Sequence, residues 1–328
     1  MTTTLSTALP TDLHPVLDAY RTCELATIAK DATPIAWPIM AVHDPATDRF
    51  TITTCIGLPA KAFNVRHDER VSLLFSEPRG SGLDQPPRVL VQGTATCPDE
   101  IVTAPDDRLD YWRTLYARQP AGALYGSNAV LRRFFDWYNM RLVISVTPQR
   151  ITVDDPPDVP AAPPVPKVAP RIPGDLSPLT AAEMMQYTAF GEAQRRLRRY
   201  PSVVLTTLDP DGFPRSARVR LSASTGRFLL PDSLEVEEGR ASLLAHRHDE
   251  HTWGLSSVAV VGDVRRRDGR LGFDVRRVIP GASQNPVTLV AMMREARATA
   301  GRYLDRRGLQ RPTVPWQAYA LLAHPRRS

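Results

Sequence analysis

Residues 25–34 read LATIAKDATP and residues 204–214 read VLTTLDPDGFP, so one strand, turn and restarting strand occurs twice with a single gap between the copies. In each copy an apolar and β-branched run is followed by turn-forming residues and then by a proline, which is the pattern of a β-hairpin. The two copies lie in opposite halves of the 328-residue chain. This repetition predicts a duplicated β domain.

Three further segments match in the same order. Residues 48–53 (DRFTIT) match 226–231 (GRFLLP), residues 71–75 (VSLLF) match 241–245 (ASLLA), and residues 89–93 (VLVQG) match 258–262 (VAVVG). One such match means little, because Val, Leu and Ile recur in all strands, but four collinear matches indicate duplication. We predict two small antiparallel domains of about six strands each, closed as barrels because closure removes exposed sheet edges.

A proline-rich segment separates the halves. Residues 156–173 include eight prolines, which predicts an extended linker. We expect domains at residues 1–155 and 179–328 and a linker at 156–178. Flanking helices are expected at Leu13–Thr22, Asp106–Trp137, Ala181–Arg199 and Val287–Arg307, so the predicted class is mainly β with flanking helices (α+β).

Composition excludes several classes of protein. The chain is 42% hydrophobic and 23% charged, which is ordinary for a soluble globular protein. No stretch is apolar for long enough to span a membrane, and the first ten residues lack the features of a secretory signal, so we expect a cytoplasmic protein. The cysteines Cys23, Cys55 and Cys97 form no C-x-x-C pair and are expected to be reduced, small apolar residues.

The net charge of +6 raises the question of a nucleic-acid partner. Arginines cluster at residues 195–199 and 265–267, where such a partner would bind. No strip of interleaved aromatic residues and no zinc-finger spacing accompanies them. We therefore do not expect nucleic-acid binding, since charge alone is a weak signal of a partner.

Residues 51–75 (TITTCIGLPAKAFNVRHDERVSLLF) are the most informative segment for function. They predict a strand, a Gly/Pro turn, a short helix and a second strand, with Lys61 in the first helical turn and Thr53 and Thr54 at the end of the first strand. Hydroxyl groups, free backbone N–H groups and one cation together suit a phosphate. The alternative is that Lys61 is a solvated surface lysine, as most lysines are.

This segment, together with residues 25–29 (LATIA), 34–38 (PIAWP) and 89–93 (VLVQG), resembles the pyridoxamine 5′-phosphate oxidase-like, FMN-binding split-barrel superfamily. The specific part is the K-x-x-N-(apolar)-x-x-x-x-R-V signature that begins at Lys61. The resemblance covers most of both halves and is closer in the first. It implies two tandem split β-barrels that form a pseudo-dimer within one chain.

The resemblance also implies a cofactor site. In this superfamily a flavin lies across a dimer interface, its phosphate bound by the signature lysine and nearby hydroxyls, and its ring lined by the strand after the first turn. A polar residue just before the V-x-V-x-G strand commonly reaches the ring. The residues implied here are Lys61, Thr53 and Thr54 for the phosphate, and Trp37, Pro38, Ile39 and Arg88 for the ring.

The chain departs from the superfamily pattern in two places. Residues 36–41 lack the arginine and lysine that bracket the ring-lining strand in the true oxidases, and Pro59 replaces a serine, so we do not expect pyridoxamine 5′-phosphate as substrate. In the second half, residues 231–240 replace the phosphate turn, contain no lysine and carry three glutamates that would repel a phosphate. We predict one site, built on Lys61 and completed by the second barrel.

Arg218 and Arg220 are further candidates. On a strand over Ala217–Leu221 they would share one face. They would then offer cations to the edge of a flavin ring or to an acidic substrate. The alternative is a solvated barrel face.

His246, His248 and His251 form the one histidine cluster in the sequence. Such a cluster suits a metal or, through one histidine, haem, which some split-barrel proteins bind. No second cluster supplies further ligands, so no metal is assigned.

The sequence contains no nucleophile elbow, no dinucleotide-binding loop and no Walker loop for nucleoside triphosphates. The predicted function is therefore an FMN-dependent, or deazaflavin-dependent, oxidoreductase acting on a small-molecule substrate, with no catalytic residue assigned. A haem-binding split-barrel protein and a cofactor-free binding or regulatory module are the alternatives. Whether pseudo-dimers pair again as a homodimer stays open.

Overall fold

The computed structural model describes residues 2–5, 9–105, 108–120, 125–154, 181–224, 226–250, 252, 254–282 and 285–323. The predicted linker at 156–178 lies outside these residues. The described residues form two antiparallel sheets with flanking helices, which confirms the mainly β class and the two tandem split barrels. Within them, no helix combines the length and the apolar character that crossing a membrane requires. The three cysteines are buried and free, as expected.

Eight strands form the first barrel within the described part of the chain. They are β1 Thr2–Leu5, β2 Cys23–Ile28, β3 Pro34–Ile39, β4 Val42–Asp44, β5 Arg49–Cys55, β6 Arg70–Phe75, β7 Arg88–Thr96 and β8 Arg141–Asp154. Seven are ordered β3-β2-β6-β7-β8-β5-β4, and β1 pairs with β8 outside this path.

The second barrel contains seven strands in the same arrangement. They are β9 Val203–Leu208, β10 Pro214–Val219, β11 Ser222–Ser224, β12 Arg227–Leu229, β13 Gly239–Arg247, β14 Ser256–Arg267 and β15 Arg270–Pro280. Their order, β10-β9-β13-β14-β15-β12-β11, repeats that of the first sheet strand for strand. Both barrels therefore exceed the six strands expected, because the short strands β4 and β11 and the long return strands were not recognised from the pattern.

Seven α-helices flank the sheets within the described residues. They are α1 His14–Ala19, α2 Ala60–His67, α3 Leu109–Arg118, α4 Ala129–Phe135, α5 Ala181–Leu197, α6 Pro286–Asp305 and α7 Trp316–Ala323, with 3-10 turns at Thr11–Leu13 and Asp136–Asn139. The prediction of α6 was correct to within two residues at each end, and Asn285 caps its N-terminus by accepting from the backbone N–H groups of Val287 and Thr288.

Two helix predictions were wrong in extent. The helix expected over Leu13–Thr22 stops at Ala19, because Tyr20 takes up an extended conformation and the chain enters β2. The single helix expected over Asp106–Trp137 is interrupted between α3 and α4, and Pro120, which cannot continue a helix, lies in the interval. Asn128 starts α4 by accepting a hydrogen bond from the backbone N–H of Leu131. Helix α7 was not predicted.

Duplication is visible in the turn that joins the first two strands of each path. In the first barrel, Ala29 N–H donates to the Thr33 carbonyl at 2.9 Å, and the equivalent bond from Asp209 to Phe213 is also 2.9 Å. The left-handed position of this turn is Ala32 in one barrel and Gly212 in the other. The local similarity of the sequences therefore reflects the same backbone geometry.

A second repeated device is a β-bulge at a glycine. The register shifts between Gln92 and Gly93 in the pairing of β7 with β8, and between Val261 and Gly262 in the pairing of β14 with β15. A Cβ at Gly93 would lie 2.1 Å from the Thr147 carbonyl oxygen, and one at Gly262 would lie 2.2 Å from a backbone oxygen. Only glycine fits at either bulge, so this match in the sequence has a steric cause.

The barrels meet through reciprocal contacts. Strand β3 contacts β9, β13 and β14, and its counterpart β10 contacts β2, β6 and β7. Arg240 at the start of β13 pairs with Asp31 of the first hairpin at 2.9 Å, and Arg70 at the start of β6 donates to the Asp211 carbonyl of the second hairpin at 3.5 Å. Such a two-way exchange of equivalent surfaces is the contact pattern of a two-fold dimer, here within one chain.

The C-terminal helices pack on the first barrel, although they follow the second in sequence. The core cluster of the first barrel includes Ala296, Ala300 and Tyr303 of α6 together with Tyr319 of α7. Helices α6 and α7 therefore contribute to the core of the first barrel. This crossing brings residues from the end of the chain to Lys61.

Candidate functional site

A cavity of about 220 Å³ lies beside the first helical turn of α2. The first barrel supplies most of its wall, from β3, β5, α2, α3 and the start of β8. The second half of the chain contributes Leu255, which precedes β14, and Met292, Met293 and Ala296 of α6. The cavity is thus built from both halves of the chain.

The turn before α2 places Lys61. Leu58 N–H donates to the Cys55 carbonyl at 2.9 Å, and the Thr54 hydroxyl donates to the Leu58 carbonyl at 2.8 Å. A Cβ on Gly57 would lie 2.6 Å from the Trp137 ring and 2.7 Å from the Ala296 carbonyl oxygen, so glycine is needed for close packing. The turn therefore packs tightly against α6 and holds the start of α2 at the cavity.

Lys61 lies partly buried in the cavity wall with its Nζ 5.6 Å from the centre of the Trp37 ring. Burial lowers the pKa of Lys61, and the nearby Arg141 guanidinium lowers it further. No Asp, Glu or His is among the described residues that line the cavity. The lysine is therefore not the solvated surface residue of the alternative interpretation.

Arg141, at the start of β8, is a second cation in the same cavity, and the sequence reasoning missed it. Its guanidinium carbon lies 4.0 Å from the centre of the Tyr138 ring, and the residue is 6% exposed. Its Nε and Nη2 atoms have no hydrogen-bond partner among the described residues, and neither has Nε1 of Trp137, which also lines the cavity. The cavity thus has surplus donors and two cations, which suits an anion.

The two predicted hydroxyls have partners within the protein. The Thr53 hydroxyl lies 2.9 Å from the Tyr111 hydroxyl, which also accepts from the Thr53 backbone N–H at 3.2 Å. Thr54 is engaged with the Leu58 carbonyl, as described above. Burial raises the pKa of Tyr111, and it raises that of Tyr125 to about 12, so both phenols lining the cavity remain protonated at neutral pH.

The nine candidate residues divide into two groups. Pro38, Ile39, Thr53, Thr54 and Lys61 line the cavity, and Trp37 lies beside Lys61. Arg88, Arg218 and Arg220 do not line it. The prediction of a strand over Ala217–Leu221 was wrong, since β10 ends at Val219 and Arg220 lies beyond it, where the chain turns into β11. Arg218 and Arg220 therefore do not share one face of a single strand.

Arg218 belongs to a buried polar cluster between the barrels. Its Nη2 lies 2.7 Å from Glu24 Oε1 and its Nε donates to the Ser76 hydroxyl at 2.9 Å. Burial by itself raises the pKa of Glu24, but Arg218 and hydrogen bonds from His246 and Ser76 outweigh burial and hold that pKa below its usual value. Burial lowers the pKa of Arg88, and the Arg218 charge lowers it further.

Two of the three candidate histidines are hydrogen-bonded within the protein. His246 Nε2 lies 2.7 Å from Glu24 Oε1, and His248 lies 3.0 Å from the Thr22 hydroxyl through Nε2 and 2.7 Å from the Asp249 carbonyl through Nδ1. Burial lowers the pKa of His248. His251 lies outside the described residues. His246 and His248 each contact a residue of the first barrel, and neither lines the Lys61 cavity.

The arginine cluster at the end of α5 lines a second cavity of about 400 Å³. Arg196 and Arg199 face Arg247 of β13 and the N-terminal turn of α6 across it. Arg196 also pairs with Glu192 one turn back at 2.9 Å. This basic surface is concave. Thr288 of α6 lines it, and Met292, one helical turn further along α6, lines the Lys61 cavity.

Comparison with known proteins found similar structures but no family model and no curated protein that matches the sequence. A candidate pyridoxamine 5′-phosphate oxidase from Listeria innocua is 16% identical, over 43% of this chain and 94% of its own, with a TM-score of 0.30. An F420 reductase is 20% identical over 44% of this chain and 98% of its own, with a TM-score of 0.28. HutZ, the haem storage protein of Vibrio cholerae, is 12% identical over 45% and 95%, with a TM-score of 0.30.

The neighbours of this chain thus include a candidate pyridoxamine 5′-phosphate oxidase, an F420 reductase and a haem storage protein. Each of the three matches covers nearly all of the neighbour and less than half of this chain.

Proposed function

We propose that the protein is a flavin-dependent oxidoreductase that binds FMN, or a deazaflavin, in the Lys61 cavity and acts on a small-molecule substrate. The observation that carries the proposal is the convergence of Lys61 and Arg141 on a cavity whose described lining has no carboxylate. A buried and a partly buried cation that share a cavity without an anion are unfavourable, and a bound phosphate would neutralise them.

The donor set of this cavity fits the phosphate of such a cofactor. Lys61 offers an ammonium group, Arg141 offers two unpartnered guanidinium nitrogens, and Trp137 offers an indole N–H. Aromatic side chains of Tyr111, Tyr125 and Tyr138 line the same space. A volume of about 220 Å³ suits the anionic end of a cofactor, and the rest would extend beyond the enclosed part.

A flavin, when bound, supplies hydride or electron transfer, and the protein supplies binding, orientation and exclusion of water. Lys61 and Arg141 would hold the phosphate. Leu255, Met292 and Met293 give one wall of the cavity an apolar surface. The free, buried cysteines fit a reducing compartment, and we place the protein in the cytoplasm.

The proposal is tested by absorption spectra of the purified protein after incubation with FMN, with a deazaflavin and with haemin. We expect saturable binding of one of the two flavins, and its loss in Lys61→Ala. Lys30→Ala is the matched control, because Lys30 is exposed in the first hairpin and should bind as wild type does.

Two outcomes would contradict the proposal. A Soret band with haemin and no flavin binding would favour the haem alternative, and replacement of His246, His248 and His251 in turn would then identify the ligand. No binding of any of the three compounds would favour a cofactor-free binding or regulatory module.

A further inference from the structure

His14, His43 and Asp48 form a compact cluster at the β4 edge of the first sheet. His14 begins α1, His43 is the central residue of β4, and Asp48 lies in the turn between β4 and β5. One potential ligand atom from each of the three residues lies within 4.8 Å of the other two. This cluster takes no part in the Lys61 cavity, since none of its residues lines that cavity.

The two imidazole rings have nitrogen atoms that nothing in the described protein satisfies. His43 Nε2 lies 2.9 Å from Asp48 Oδ1, but its Nδ1 is buried without a hydrogen-bond partner, and so is Nε2 of His14. The ring centroids are 4.6 Å apart, and the His43 side chain is only 1% exposed. Two buried, unpartnered nitrogen atoms on neighbouring rings are unusual, because buried polar atoms are nearly always paired.

The backbone and a hydrogen bond fix the position of the Asp48 carboxylate beside the histidines. It adopts a left-handed backbone conformation with φ of 48°, and its Oδ2 accepts a hydrogen bond from the backbone N–H of Leu9 at 3.3 Å. Its Oδ1 lies 2.9 Å from His43 Nε2, which is close enough for both atoms to bind one metal ion. The geometry therefore supplies three potential ligands.

We propose that His14, His43 and Asp48 bind a divalent transition metal ion of the zinc class. Two imidazoles and one carboxylate suit Zn²⁺, Co²⁺ or Ni²⁺, whereas Ca²⁺ and Mg²⁺ take sets of oxygen ligands. The ion accepts the lone pair of the unpartnered His14 Nε2 and binds between the three residues, whose ligand atoms lie within 4.8 Å of one another. It joins α1 to β4 and to the turn after β4, so it stabilises this edge of the first barrel.

The test is a titration of the full-length, tag-free protein, stripped with a chelator, with Zn²⁺ by calorimetry and with Co²⁺ by visible absorption. We expect one equivalent of each metal to bind. The visible spectrum of the Co²⁺ complex should be that of a Co²⁺ ion with a low coordination number. The melting temperature should rise with Zn²⁺ but not with Mg²⁺. His14→Ala and Asp48→Asn should each weaken binding by at least about tenfold. Asparagine tolerates the left-handed conformation at position 48, so the second variant should retain its fold.

His67→Ala is the matched control, because His67 is exposed at the end of α2 and should bind metal as wild type does. Circular dichroism of the metal-free variants confirms that they fold. Absence of stoichiometric binding to the wild type would overturn the proposal. Equal affinity in wild type, His14→Ala and Asp48→Asn would also overturn it.

Discussion

Arg218 of the second barrel and Glu24 of the first form an ion pair inside the interface, with Nη2 2.7 Å from Oε1. The two side chains are 7% and 0% exposed. Ser76 donates to the other carboxylate oxygen at 3.0 Å, and His246 shares Oε1 at 2.7 Å. Because the partners come from different halves of the chain, this pair helps to specify how the barrels meet.

Removing one partner of this pair should destabilise the protein strongly. Arg218→Met leaves Glu24 buried without its countercharge, so we expect the free energy of unfolding in urea to fall by about 3–5 kcal/mol. The double variant Glu24→Leu with Arg218→Met removes both charges and should lose much less. Arg113→Ala is the control, since its pair with Asp110 is exposed and should change stability by under about 1 kcal/mol. Equal losses in the single and double variants would contradict this account.

The same pair should make stability depend on acidic pH. The pKa of Glu24 is lower in the folded protein than in the unfolded chain, so the carboxylate contributes its full stability above the unfolded-state pKa. That contribution is lost as pH falls through the lowered, folded-state pKa. Urea unfolding of the wild type at a series of acidic pH values should therefore show a steeper decline than that of the double variant.

Arg141→Met should separate cofactor binding from stability. The substitution removes a buried cation, two of whose guanidinium nitrogens lack hydrogen-bond partners among the described residues, so the unliganded protein should be as stable as wild type or more stable. FMN affinity should fall by about tenfold or more, as expected when a charged hydrogen bond is lost. Riboflavin is the matched ligand, because it lacks the phosphate and its affinity should not change. A parallel loss for both ligands would place Arg141 away from the phosphate.

Gly57→Ala and Gly301→Ala should have opposite effects. A methyl group at position 57 meets the Trp137 ring and the Ala296 carbonyl, so we expect a loss of about 1–3 kcal/mol and weaker packing of α6. Gly301 lies within α6 with nothing within 4 Å of an added Cβ, so alanine there should stabilise by about 0.5–1 kcal/mol. Thermal unfolding of both variants measures the difference. A Gly57→Ala variant as stable as wild type would show that α6 can shift to make room for the methyl group.

Local pattern was enough to predict the duplicated hairpin and the placement of Lys61. The hairpin at residues 25–34 and its copy have the same hydrogen bonds because turn residues and apolar runs act over a few residues. The same holds for Lys61, since a Gly/Pro turn after a strand determines where α2 begins. Resemblance to the split-barrel superfamily added Pro38 and Ile39, which do line the cavity.

Arg141 shows where local pattern fails. Arg141 lines the same cavity as Lys61 because β8 pairs with β5, which places Arg141 opposite Cys55. The register of two distant strands cannot be read from either strand alone. Arg88 and Arg218 failed as cavity residues for the same reason. Arg88 begins β7 and Arg218 lies on β10, and the two-fold exchange of surfaces brings Arg218 to Glu24 instead.

The amino-acid sequence by itself determined the duplication, the strands of each hairpin, the helix that carries Lys61 and the helix α6, because these depend on neighbours in the chain. The tertiary structure alone decided that α6 crosses to the first barrel, that Arg141 joins Lys61, and that His14 meets His43 and Asp48. These contacts join residues far apart in sequence, and they form only when burial of apolar surface holds distant elements in one register.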